Sequence, residues 1–314
     1  MPKTCIIIGA SHSGAQMIQC LRQEGWTDRI VVIGEEPHLP YHRPPLSKAF
    51  LLNERTAEQL NIRPPAAYEK AGAEFMLGKS VTAIDRTNKE VTLNDGTKLN
   101  YDKLAICTGA RIRKIPVSGA DLTGVHYLRT LDDVIAIKEQ MESAKNAVIV
   151  GGGYIGLEVA AALRKQGIAV TVLEMASRVL ERVTSPETSA FFTRAHQAEG
   201  VEIVTDVQVS EFCGDGNVSS VKCADGREFP ADLVVVGIGI IPNVEIAQAA
   251  GIEVENGIVT NTFGQTNDPD IVSSGDCANH PNELYGRQVR LESVHNTLDQ
   301  SKAAASAICG NEKP

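Results

Sequence analysis

The chain has 314 residues, of which 43% are apolar, 22% charged and 4% aromatic. This fits about two domains of ordinary globular composition and excludes a small single module, a fibre or a disordered chain. A formal charge of −9 and the scarcity of aromatics argue against nucleic acid as a partner, whether bound through phosphates or by base stacking.

The first residues, Met1-Pro2-Lys3, run straight into an apolar stretch without the h-region of a signal peptide, and no apolar run is long enough to span a bilayer. The expectation is a cytoplasmic protein with no membrane partner. Thr4 to Gly9 is continuously apolar and ends in glycine, as in a strand covered on both faces of a parallel sheet. Ala15, Met17, Ile18 and Leu21 then recur at helical spacing, Gly25 stops the run, and Arg29 to Ile33 supplies a second strand. Between strand and helix lies Gly9-Ala10-Ser11-His12-Ser13-Gly14, a Gly-x-Gly-x-x-Gly variant with Ser11 in place of the middle glycine, and Glu35 follows the second strand.

The pattern returns at Ala147 to Val150, which leads into Gly151-Gly152-Gly153-Tyr154-Ile155-Gly156. A helical segment continues to Gly167, and the strand Val170 to Leu173 ends at Glu174. A glycine turn lets the backbone approach a pyrophosphate, the helix N-terminus stabilises its charge, and the acid ending the second strand accepts ribose hydroxyls. A tight turn alone would explain the glycines but not the two acids. Glu174 favours NADH over NADPH, because a carboxylate repels a 2′-phosphate; Arg178 reads as a solvated surface charge.

Two further segments, Leu104 to Gly109 and Leu233 to Asn243, read as crossings between domains, so the second unit is inserted into the first. Ile271 to Ala278 reads as one more strand running to an acid, and Val294 to Ile308 as a closing helix. The seven cysteines, at 5, 20, 107, 213, 223, 277 and 309, include no Cys-x-x-Cys pair, so no disulfide framework, zinc site or local dithiol is signalled. Cys107 and Cys277 read as buried inert thiols. His12, His42, His280 and His295 share no metal spacing, and no metal site is expected.

These residues resemble the two-dinucleotide-binding flavoproteins, and within them the NADH-dependent ferredoxin and rubredoxin reductases that feed oxygenases. The stretches that carry the resemblance run from end to end: Tyr41 to Lys48 (YHRPPLSK), Gly151 to Glu158 (GGGYIGLE), Arg178 to Arg182 (RVLER), Gly237 to Gly239 with Pro242-Asn243, Gly275 to Ala278, and Glu292 to Val294. Pro-Pro-Leu-Ser-Lys is the most specific of them. The resemblance implies an α/β protein with two Rossmann-like dinucleotide-binding domains of the glutathione-reductase-like type. Residues 1–109 and 240–314 would form a discontinuous FAD-binding domain, and 110–239 an inserted NADH-binding domain. The family's C-terminal domain is missing from these 314 residues by that comparison, which implies intact FAD binding and dye reduction but impaired ferredoxin turnover.

Position by position, the resemblance places FAD at Gly9, Ser13 and Gly14, with Glu35 at the adenosine ribose and Val81 at the adenine end. Arg43 joins this cofactor set. Lys48 and Arg129 would approach the isoalloxazine and the pyrophosphate, Asp276 the ribityl chain, and Val294 would cap the ring. NADH would take Gly151, Gly153, Ile155, Gly156 and Glu174, with Glu158 toward the nicotinamide. The resemblance implies Lys48 and Glu158 as the catalytic pair: a lysine near flavin N5 would stabilise the reduced anionic ring and the carboxylate would hold it in place. Lacking a cysteine pair, the chain would pass a hydride from NADH to FAD and then single electrons to a [2Fe-2S] ferredoxin or a rubredoxin. Arg111, Arg113 and Lys114 are docking candidates by position, with solvated loop charge the plainer reading. Two other readings stand beside this one: an NADH oxidase or peroxidase, which needs a redox cysteine that residues 41–50 lack, and a redox-sensing flavoprotein like apoptosis-inducing factor.

Overall fold

The computed structural model describes residues 2–311 and 313. The chain divides into two compact units, one formed by Met1–His42, Asn61–Arg111 and Pro242–Pro314, the other by Arg43–Leu60 and Ile112–Ile241. Among the described residues no helix is long and apolar enough to cross a membrane.

The first unit is built on a five-stranded parallel sheet in the order Ile271–Ser273, Lys103–Ile106, Thr4–Ile8, Arg29–Gly34, Ala73–Leu77. Strand side chains alternate between faces, and here both faces are covered. Cys5, Ile7 and Val32 pack with Met17, Ile18, Leu21, Ala304 and Ile308 from the helices His12–Gln23 and Val294–Ile308. Ile6, Ile8, Val31 and Ile33 pack on the other side with Val81, Ile84, Val91 and Ile252. That double burial is why the strands read as unbroken apolar runs rather than alternating ones.

The second unit repeats the design, with the strand order Val201–Val204, Ala169–Leu173, Asn146–Val150, Leu233–Val236, Val125–Tyr127, again all parallel. In each unit the strand before the glycine loop is central and the acid-bearing strand lies beside it. This is the arrangement in which loops at the strand C-termini receive ligands. Each unit also carries a three-stranded antiparallel sheet that the sequence pattern does not announce: Val81–Asp85, Glu90–Leu93 and Lys98–Asn100 in the first, and Val209–Asp215, Asn217–Cys223 and Glu228–Pro230 in the second.

The expected division, 1–109 with 240–314 and 110–239, differs from the observed units chiefly at residues 43–60, which pack in the second unit. The reason is long-range: the turn Pro44–Ser47 packs on the helices Leu131–Met141 and Tyr154–Lys165, Leu46, Phe50 and Leu51 are buried, and charged contacts lie around them. Lys48 pairs with Glu158, Glu54 with Lys165, and the Lys138 ammonium lies 4.4 Å from the centre of the Phe50 ring. Within the first unit the residues that flank the segment pair with each other: Ile62 N–H donates to Pro40 O at 3.0 Å and Tyr41 bridges to Asn61.

In the second unit the Asp232 carboxylate accepts the N–H groups of Lys145 and Asn146, both at 2.9 Å, and so fixes the start of the central strand. These backbone donors hold its carboxyl below the ordinary value of 3.8. A depressed folded-state pKa contributes stability above the unfolded value and loses it as pH falls. Asp232→Ala is therefore expected to cost about 1–2 kcal/mol in urea unfolding at pH 7, with the gap to the parent protein closing as pH falls below 3.8.

Candidate functional site

In the first unit the loop after Thr4–Ile8 is set by backbone contact. Gly9 has φ +120°, and a Cβ there would stand 2.1 Å from Cys107 O; a Cβ on Gly14 would stand 2.1 Å from Gly9 O. Neither position admits a side chain, because the obstructing atom is backbone in both. The helix His12–Gln23 has no side-chain cap bond from Ser11, which leaves its first-turn amides directed out of the helix end. Glu35 lies exposed just past the second strand. Across the sheet, Ile271–Ser273 runs into Gly275-Asp276, where Gly275 N–H donates to Gln300 Oε1 at 2.8 Å, and Val294 opens the last helix. Val81, buried at the start of the small antiparallel sheet, shares a core cluster with Ile8 and Ile33.

Ser13 is buried, and its hydroxyl faces inward. Its Oγ lies 2.6 Å from Ser274 Oγ and 3.2 Å from Ser301 Oγ, and Ser301 donates to Thr297 O at 2.8 Å. The Ser13 hydroxyl is thus engaged within the protein, while its amide lies in the first helical turn, where the backbone has no intrahelical acceptor. Ser274, Gln300 and Ser301 escaped the sequence reading; the only local signal was a pair of serines, Ser273-Ser274, ending an otherwise apolar strand. A helix start without a side-chain cap bond against a glycine-tight turn, an exposed acid at the second strand's end and an acid after the strand Ile271–Ser273 together fit a flavin dinucleotide: amides for pyrophosphate, carboxylates for hydroxyls.

The second unit has the same loop. Gly151 has φ +108° and a Cβ there would meet Gly237 O at 2.5 Å, while one on Gly156 would meet Gly151 O at 2.1 Å. Gly153, the N-cap of the helix Tyr154–Lys165, has open space around it. Glu174 Oε2 accepts Gly152 N–H at 2.6 Å and Oε1 accepts Ala176 N–H at 2.8 Å. A carboxylate has about four acceptor positions, so two remain for ribose hydroxyls. Arg178, expected to be a solvated charge, instead donates to Thr184 O at 3.1 Å and Glu181 O at 3.0 Å, so its guanidinium is committed to its own loop. These residues fit a nicotinamide dinucleotide without a 2′-phosphate.

One turn along the same helix, Glu158 Oε2 lies 2.6 Å from Lys48 Nζ and accepts the Ser47 hydroxyl, also at 2.6 Å. Tyr154 and Ile155, at the helix start, are 51% and 44% exposed, an apolar surface beside the charged pair. Arg43 Nη1 donates to Arg129 O at 2.6 Å, and Arg129 N–H in turn donates to Asp133 Oδ2 at 2.9 Å, so the Arg43 guanidinium and the Arg129 backbone are held at the head of the helix Leu131–Met141. The second unit thus gathers Arg43, Lys48, Arg129, Glu158, Glu174 and the glycine loop, while Gly9, Ser13, Gly14, Glu35, Val81, Asp276 and Val294 belong to the first.

All seven cysteines are free thiols. Burial pushes Cys107 up to about 12, which leaves it a poor nucleophile at neutral pH. Cys213 and Cys223 sit on paired strands but out of register, with Cys213 opposite Ser220 and Val209 opposite Cys223. Arg111, Arg113 and Lys114 are all exposed, and Arg111 makes a surface pair with Glu245 at 2.6 Å.

A family model described as pyridine nucleotide-disulphide oxidoreductase matches residues 3–301. The chain is 46% identical to putidaredoxin reductase CamA of Pseudomonas putida over 97% of its own length and 74% of that protein's, and 41% identical to rhodocoxin reductase of Rhodococcus erythropolis over 97% and 72%. A solved covalent putidaredoxin reductase-putidaredoxin complex superposes with a TM-score of 0.96 at 44% identity, covering 99% of this chain and 76% of that one.

Proposed function

We propose, since this chain belongs to the pyridine nucleotide-disulphide oxidoreductase family, that it is an NADH-dependent, FAD-containing ferredoxin reductase that supplies an oxygenase. The observation that carries the reading is likeness over 97% of the chain to a reductase of this kind. The lack of a paired thiol among the seven cysteines supports an external iron-sulfur acceptor, a [2Fe-2S] ferredoxin, over an internal disulfide. The first-turn amides of His12–Gln23, with Gly9, Gly14, Glu35 and Asp276, bind FAD. The start of Tyr154–Lys165, with Gly151, Gly153, Gly156 and Glu174, binds NADH. The chemistry a bound FAD supplies is the conversion of one hydride from NADH into two single electrons, with release of a proton.

The chain's own residues orient and stabilise. Glu174 selects the unphosphorylated ribose, and the exposed Ile155 lines the nicotinamide end. Lys48, held by Glu158, contributes a fixed positive charge that favours the electron-rich product of hydride transfer. The need for NADH supports a cytoplasmic location. Lys48→Ala is expected to slow reduction of the bound flavin by NADH about 10- to 100-fold in stopped-flow absorbance. Unchanged reduction kinetics would remove Lys48 from the mechanism.

A further inference from the structure

We propose that Ser47 is the positioning residue that makes the Lys48–Glu158 pair a fixed element of the site. The proposal rests on the assignment of that pair to hydride transfer. Lys48 and Glu158 side chains are 51% and 30% exposed. Two long charged side chains at that exposure ordinarily form a weak, mobile pair, because solvent screens the attraction and side-chain entropy opposes a single geometry. Ser47 is different in kind. It is 2% exposed and ends the short 3-10 turn Pro44–Ser47, where two prolines restrict the backbone and Leu46 is anchored in the core at 1% exposure.

From that rigid base the Ser47 hydroxyl donates to Glu158 Oε2 at 2.6 Å, the same oxygen that lies 2.6 Å from Lys48 Nζ. A hydroxyl-to-carboxylate bond of this length is charge-assisted and stronger than a neutral one. The Lys48 ammonium is held from a second direction by Pro44 O at 3.3 Å, an acceptor on the same turn. The turn therefore supplies both a donor to the carboxylate and an acceptor to the ammonium, so the pair has one geometry without help from substrate. Pre-set charge of this kind costs no reorganisation when hydride moves.

The test compares Ser47→Ala, Ser47→Thr and Lys48→Ala with the parent protein. In the FAD-free protein, acetylation of Lys48 by acetic anhydride, followed by peptide mass spectrometry, should quicken at least about threefold in Ser47→Ala as the ammonium is released. In the flavin-loaded protein, the limiting rate of flavin reduction should fall about tenfold in Ser47→Ala, with the apparent NADH dissociation constant within about twofold of the parent. Ser47→Thr, which keeps the hydroxyl, should restore most of the rate. In the Lys48→Ala background Ser47→Ala should add nothing, as for residues acting as one unit. Parent-like Lys48 acetylation in Ser47→Ala, or a rate loss that persists in Ser47→Thr or adds to that of Lys48→Ala, would overturn the positioning role. If Lys48→Ala itself left reduction unchanged, the hydride-transfer assignment would fall instead, and the acetylation rates would still report whether Ser47 holds the pair.

Discussion

Gly14→Ala is expected to yield protein that purifies without flavin. A Cβ at this position would lie 2.1 Å from Gly9 O, a backbone oxygen that cannot swing aside. The helix His12–Gln23 would have to move off its own turn, yet Met17, Ile18 and Leu21 hold it in the core. Something must yield by more than a rotamer change, and overpacking of this kind costs about 3 kcal/mol, or about 100-fold in affinity if the strain falls on the ligand-bound loop. The flavin absorbance of the purified protein and a fluorescence titration with added FAD measure the loss. Parent-like FAD affinity would show that the first-turn amides are not the pyrophosphate site.

Gly156→Ala should produce the complementary defect. The same 2.1 Å conflict arises, now with Gly151 O, in the unit that lacks the first glycine loop. The protein should keep its flavin spectrum and be bleached by dithionite, but need about 100-fold more NADH for half-maximal reduction, by the same strain argument. Loss of flavin from this variant, or undiminished NADH reduction, would contradict the assignment of one nucleotide to each loop. Together the two substitutions separate the sites with one atom of added bulk in each.

Parts of this arrangement were legible in the amino-acid order because their cause is local. Strands such as Thr4–Ile8 and Leu233–Val236 are covered on both faces, so burial leaves no polar position to interrupt them. The closing helix spans Val294–Ile308, as its alanine-rich periodicity predicts. The small antiparallel sheets were not legible, since strands such as Val81–Asp85 mix buried and exposed positions without clean alternation. The inward turn of Ser13 depends on Ser274 and Ser301, which only the completed sheet and last helix bring near. The placement of residues 43–60 depends likewise on the helices Leu131–Met141 and Tyr154–Lys165, far along the chain, against which the turn bearing the buried Leu46 packs. Ser47 was visible only as a letter in a motif; its donor role needed the carboxylate that folding brings to it.

The free state of all seven thiols bears on the rhythm of turnover. An enzyme that keeps a disulfide beside its flavin can hold two reducing equivalents in each and accept a second donor early. Without such a reservoir, this chain has capacity for one hydride at a time: the next NADH is useful only after two acceptor molecules have come and gone. Its throughput is then governed by how fast carriers exchange, and it works as a gearbox between a donor that deals in pairs and clients that take electrons one by one.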